Sequence, residues 1–166
     1  MAVNSGKAIA AGDTIPDIQV HTMGESGPEE ISTLSFCRGK KVVLFAVPGA
    51  FTPTCSESHL PGFVANTDKI LAKGVDSIAC ISVNDVFVMD AWGKAGNAGP
   101  IVMLADGLCS FANAVGMTLD FTARGFGIRS DRYAMIIDDT RVSWVAREEP
   151  KTLDVSTAEA VLAALD

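Results

Sequence analysis

Val42-Val-Leu-Phe-Ala-Val47 runs directly into Pro48-Gly-Ala-Phe-Thr-Pro-Thr-Cys55, and these two short stretches decide the fold. The first is a β-branched and aromatic run with no polar interruption, as expected of a strand buried on both faces. Pro48-Gly49 ends it. From Cys55 onward Leu60, Phe63, Val64, Ile70 and Leu71 recur at helical spacing, with Gly74 placed to cap the C-terminus and Pro61 expected to kink the helix. Asp76 to Val83 reads again as a strand. Strand, helix, strand in about 40 residues is the length of a βαβ unit, whose strands lie parallel.

The alternation continues outward from this unit. A helix is expected over Val86 to Lys94, a strand over Ile101 to Ala105 and a short helix over Ser110 to Val115. Strands Arg132 to Ile137 and Val142 to Arg147 flank Asp138-Asp-Thr140 as a tight hairpin. Ser156-Thr-Ala-Glu159 reads as a capping box opening a helix to Leu165. Upstream, the first dozen residues and Met23 to Glu30 read as loose segments, because Gly24, Gly27 and Pro28 break any regular pattern. Parallel and antiparallel pairs in one chain predict an α/β fold with a central mixed β-sheet flanked by helices.

Composition bounds the function. With 166 residues, 48% apolar and 20% charged, residues 1–166 are expected to form a single domain with a sizeable core. A net charge of −7 argues against a nucleic-acid partner held by phosphate contacts. The longest apolar stretch, 42–51, contains Pro48 and Gly49 and is far short of the roughly 20 residues a membrane helix needs. The first residues lack the apolar core of a signal peptide, so a cytoplasmic location is expected. Cys37, Cys55, Cys80 and Cys109 are too sparse for a disulfide scaffold, and no two form the close pair a zinc site prefers. No other metal-ligand spacing is present in the His, Asp and Glu positions.

Cys55 stands out by position. It falls in the first turn of a helix that follows the C-terminal end of a buried strand, where open α/β sheets place reactive groups. Unpaired N–H groups and the helix dipole there favour an anion, so a cysteine so placed is more thiolate at neutral pH. Thr52, three residues earlier, can aim its hydroxyl at the sulfur or at an oxygen bound to it. The plain alternative is a buried, inert cysteine beside a helix-capping threonine. His59, four residues on, shares the face of Cys55. A Cys/His hydrolase would need an orienting third group, for which the sequence offers no candidate.

The pattern Pro48-x-x-x-Thr52-x-x-Cys55 resembles the active-site signature of the peroxiredoxins. The longer string Val47-Pro-Gly-Ala-Phe-Thr-Pro-Thr-Cys-Ser-Glu-Ser-His-Leu-Pro-Gly-Phe63 resembles their type II, or peroxiredoxin-5-like, subfamily. Further matches are Cys80-Ile-Ser-Val-Asn-Asp85, Phe87-Val-Met-Asp-Ala-Trp92, Leu104-Ala-Asp106 and Arg129-Ser-Asp-Arg-Tyr133. The resemblance implies a thioredoxin-like fold without cofactor, and reduction of hydrogen peroxide and alkyl hydroperoxides by Cys55, which becomes a sulfenic acid. It implies that Arg132 supplies a cation, that Thr52 and the Cys55 N–H hold the peroxide, and that Pro48 shields the pocket. Arg129 is a basic residue of the same pattern and is expected to support the site from behind the residues that hold the peroxide. His59 is expected near the site without acting as a base. Cys80 is the internal candidate for resolving the sulfenic acid, and many type II relatives carry a cysteine at this spacing. The C-terminal resolving cysteine of the animal branch and a fused glutaredoxin domain are both missing from these residues. The expected reductant is therefore external, glutathione with glutaredoxin or thioredoxin. Homodimers are common in the subfamily, with Phe51 and Phe87 as candidate interface residues. Cys37 and Cys109 match nothing in the pattern and are taken as structural. A second reading makes the chain a redox-responsive binding protein whose Cys55 is oxidised without turnover; a complete peroxide pocket favours the enzyme.

Overall fold

A computed structural model describes residues 7–166. Its centre is β3 (Lys41–Ala46), the apolar run that decides the fold. Residues 42–46 are all buried, and alternate side chains serve opposite layers. Val43 and Phe45 enter one apolar cluster with the helices described next, while Val42, Leu44 and Ala46 enter a second cluster on the reverse face.

The expected βαβ unit is present. After β3 the chain forms α2 (Leu60–Leu71), then β4 (Ser77–Ser82), which pairs parallel to β3 with Phe45 opposite Cys80. It continues through α3 (Val86–Ala95) and β5 (Val102–Ala105), parallel to β4. The antiparallel side is built by β8 (Tyr133–Asp138) against β3 and by β9 (Arg141–Arg147) against β8. Asp139 and Thr140 turn that hairpin with positive φ at both positions, as a two-residue turn matching the twist of its strands requires. The C-terminal α5 (Ala158–Leu165) packs beside α2.

Met23 to Glu30, expected to be loose, is ordered. β1 (Gln19–Gly24) and β2 (Gly27–Ser32) form a hairpin that extends the sheet past β5, giving the order β2-β1-β5-β4-β3-β8-β9. Pro28 is tolerated because β2 is the outermost strand, with one edge unpaired. The reverse face is covered by α1 (Thr33–Cys37) and α4 (Ser110–Ala114), and a separate pair, β6 (Thr118–Phe121) and β7 (Gly127–Ser130), leads into β8. The mixed sheet flanked by helices is as expected; α1 and the pairs β1–β2 and β6–β7 carry too short a pattern to have been read.

A second correction concerns the last helix. Thr157, not Ser156, is its N-cap and accepts from the Ala160 N–H at 3.1 Å. Ser156 turns inward and is fully buried.

Candidate active site

The loop after β3 is pinned from below. The Val47 N–H donates to the Ile81 carbonyl (3.2 Å), and the Ala50 N–H to the Asn84 side-chain oxygen (3.0 Å), which also accepts from Ser82 Oγ (2.6 Å). Between these anchors Phe51 adopts φ 64° and the residue is 55% exposed. That left-handed backbone is uncommon for a bulky residue and is held by the fixed ends of the loop.

The helical stretch begins at Pro53, so Cys55 lies in its first turn, as expected. Proline suits that first position because its missing N–H would have no helical partner. The turn itself is not α-helical. Cys55 to His59 form a π turn, closed by the Leu60 N–H donating to the Cys55 carbonyl. The expected kink at Pro61 is resolved in this way. Pro61 sits at the start of α2, and the wider turn takes up the place of the hydrogen bond it cannot donate.

Arg132 reaches the sulfur, and His59 seats Arg132. Cys55 is buried, and its Sγ accepts from Arg132 Nη2 at 3.1 Å. Arg132 immediately precedes β8, which lies next to β3, so the sheet carries its guanidinium to the end of the strand that launches the Cys55 loop. The other guanidinium arm, Nη1, lies 2.8 Å from His59 Nδ1, while His59 Nε2 lies 2.9 Å from the Ser156 carbonyl. A carbonyl can only accept, so Nε2 carries the proton and Nδ1 presents its lone pair to Arg132. Burial and the adjacent guanidinium push the His59 pKa down to about 4. Both ring nitrogens of His59 are thus engaged, by Arg132 and by the Ser156 carbonyl, and neither faces the sulfur. Phe45 from β3 packs against the same imidazole and stacks on Phe63 of α2, with centroids 5.1 and 3.9 Å apart respectively.

The remaining expected residues divide. Thr52 lies at the exposed lip, where its hydroxyl donates to the Gly49 carbonyl at 2.6 Å rather than to the sulfur. Its lone pairs therefore remain to accept from an incoming O–H. Pro48 is half-buried where the loop leaves β3. Arg129 does not reach Cys55 in this arrangement. Its guanidinium donates to the carbonyls of Val83 (3.0 Å) and Phe126 (2.9 Å), tying β7 to the loop after β4. Cys80 is fully buried mid-strand in the same apolar cluster as Cys55, and burial pushes its thiol pKa well up. Cys37 and Cys109 are buried as well, and burial raises both, Cys37 to about 12.

Sequence reading misses two parts of this network. Ser156 supplies the carbonyl that fixes His59, and Trp92 of α3 donates its indole N–H to Ser56 Oγ at 3.0 Å, next to Cys55 in the chain. Both are single contacts between segments far apart in the chain, and local pattern carries no signal for them.

The fold and this buried, cation-paired cysteine define a thiol-based redox protein. A family model described as Redoxin matches residues 10–162. Peroxiredoxin-2C of Oryza sativa subsp. japonica is 46% identical over 159 residues, covering 95% of this chain and 98% of that protein. The reduced Prx3 of Vibrio vulnificus, solved in complex with hydrogen peroxide, superposes with a TM-score of 0.93 at 53% identity over 95% of this chain and 99% of that one. Peroxiredoxin 5 of Alvinella pompejana gives 0.83 at 39% identity over 95% and 97%. The chain belongs to the Redoxin family and, within it, to the peroxiredoxins. It is a thiol peroxidase, taking a peroxide as substrate and a thiol as reductant.

Proposed function

We propose that the chain is a type II, peroxiredoxin-5-like enzyme in which Cys55 is the peroxidatic residue. The observation that carries this is the guanidinium of Arg132 held 3.1 Å from a buried sulfur at a helix start. The Cys55 thiolate attacks one oxygen of the peroxide, forming the S–O bond as the O–O bond breaks. The departing oxygen takes up a proton and leaves as water or an alcohol, and Cys55 becomes a sulfenic acid. Negative charge spreads from sulfur to both oxygens along this path. A fixed cation that costs no reorganisation when the charge moves is worth most there. Arg132 supplies it, the first-turn N–H groups add to it, Thr52 accepts from the peroxide O–H, and Pro48 closes the pocket against water.

A thiol must then condense with the sulfenic acid, releasing water and forming a disulfide, and a second thiol reduces that bond. Glutathione with glutaredoxin, or thioredoxin, is the external donor, and Cys80 is the internal one. Both cysteines are buried in one cluster, and forming a Cys55–Cys80 bond is expected to unwind the first turn of the helix locally. A cytoplasmic or similarly reducing compartment suits four free thiols. The exposed Phe51 and Phe87 offer a homodimer face.

Intact mass of the reduced protein after one equivalent of hydrogen peroxide tests the scheme, with Cys55→Ser and Cys80→Ser alongside. A gain of one oxygen that vanishes in Cys55→Ser is expected if the resolving thiol is external. A loss of two hydrogens that needs both cysteines makes Cys80 the resolver. Unchanged oxidation in Cys55→Ser would refute the assignment.

A further inference from the structure

Behind His59 lies a carboxylate that the scheme above does not use. Glu148 follows directly on β9 and is buried. Its Oε2 accepts from three donors, the Asp154 N–H (2.8 Å), the Ser156 N–H (2.7 Å) and Ser156 Oγ (2.7 Å), while Oε1 accepts from Thr152 Oγ1 (2.9 Å). Hydrogen bonds from Ser156, Asp154 and Thr152 outweigh burial and hold its pKa below the usual carboxylate value. The carboxylate thus folds residues 149–157 around itself and aims one group out of that loop, the Ser156 carbonyl, at His59. Glu148 also grips Arg132 directly, its backbone N–H donating to the Arg132 carbonyl at 2.9 Å.

Acceptor and donor roles alternate along the chain of contacts, which gives it a direction. The carboxylate fixes the Ser156 carbonyl; that carbonyl takes the imidazole proton on Nε2; Nδ1 is left as the acceptor that seats one arm of Arg132; the other arm then meets the sulfur. Each link has one allowed polarity. We propose that Glu148 is a positioning residue for the peroxidase reaction, acting through Ser156 and the tautomer of His59 on the guanidinium that faces Cys55. This rests on the reading of Arg132 as the cation of the transition state.

Stopped-flow rates for hydrogen peroxide and for the alkylating agent iodoacetamide separate positioning from simple destabilisation, because only the peroxide reaction needs a cation over a departing oxygen. Glu148→Gln, nearly isosteric, is expected to lose about ten-fold more in peroxide rate than in alkylation rate, and Ser156→Ala about three-fold more. Equal losses in both rates, or none, would overturn the proposal. Arg132→Gln is the control: if it keeps the peroxide rate, the reading beneath the proposal fails; if it is slow while Glu148→Gln is not, only the proposal fails. Should Glu148→Gln not fold, nitrogen NMR of the wild-type imidazole still decides. A single Nε2-protonated tautomer is expected, and a proton on Nδ1 would overturn the chain of contacts.

Discussion

Cys55 and Cys80 sit in one apolar cluster and are equally hidden from solvent, yet only the Cys55 sulfur accepts a hydrogen bond from a guanidinium. Cys80 occupies the middle of a central strand, where flanking strands fill the backbone hydrogen bonds; burial first, and then the neighbouring Cys55, push its pKa up against the opposing pull of Arg132. Cys55 lies in the first turn of a helix, and a guanidinium carried in from the strand next to β3 donates to its sulfur. Burial by itself therefore does not set the character of a thiol. What distinguishes the two cysteines is whether the polar groups that travel with the sulfur were buried too.

This contrast can be erased from the Cys55 side. Arg132→Gln removes the cation while keeping the length of the side chain, and is expected to slow Cys55 oxidation by peroxide by about 100-fold or more, read by stopped-flow at fixed pH. Thr52→Val keeps shape and removes the lip acceptor; a loss of about ten-fold is expected in the same assay, equivalent to about 1.4 kcal/mol.

The pH dependence of stability sharpens it further, since His59 belongs only to the Cys55 side. Its folded pKa of about 4 lies below the unfolded value of 6.5, so the unfolded chain binds the extra proton between these limits. Stability contributed by keeping His59 neutral is present above pH 6.5 and is lost as pH falls toward about 4. The expected loss is about 3 kcal/mol over that window, and His59→Gln should flatten this part of a urea-denaturation series against pH. The smallest effect belongs to Cys80. In Cys80→Ala the first oxidation step should stay within about two-fold of wild type, with about 1 kcal/mol lost in stability from the small void. A large loss of peroxide rate in that variant would break the comparison.

Sequence made the Cys55 side of this contrast readable, because its features are local. The apolar run 42–47, the Pro-Gly stop and the spacing from Thr52 to Cys55 all lie within one strand–loop–helix connection. Arg132 came from resemblance to a family pattern, since nothing in its own neighbours separates it from a surface charge. The rest depended on pairing. Gly27-Pro28 reads as a breaker until β1 is found beside it to make an outer strand, and Ser156 reads as a helix cap until Glu148 draws it inward. Both are decided by partners that local periodicity does not record.

The π turn at Cys55–His59 has a consequence for how this segment can change in length. It holds one residue more than an α turn needs, and Pro61 keeps it from relaxing, since an α turn there would crowd the proline ring against a carbonyl it cannot bond. With α2 locked beside α5, deleting one residue from 56–58 would leave everything downstream in place and rotate Cys55 by about 100° around the helix axis, away from Arg132. Side chains at the solvent-facing positions of this turn are open to substitution, but their number is not.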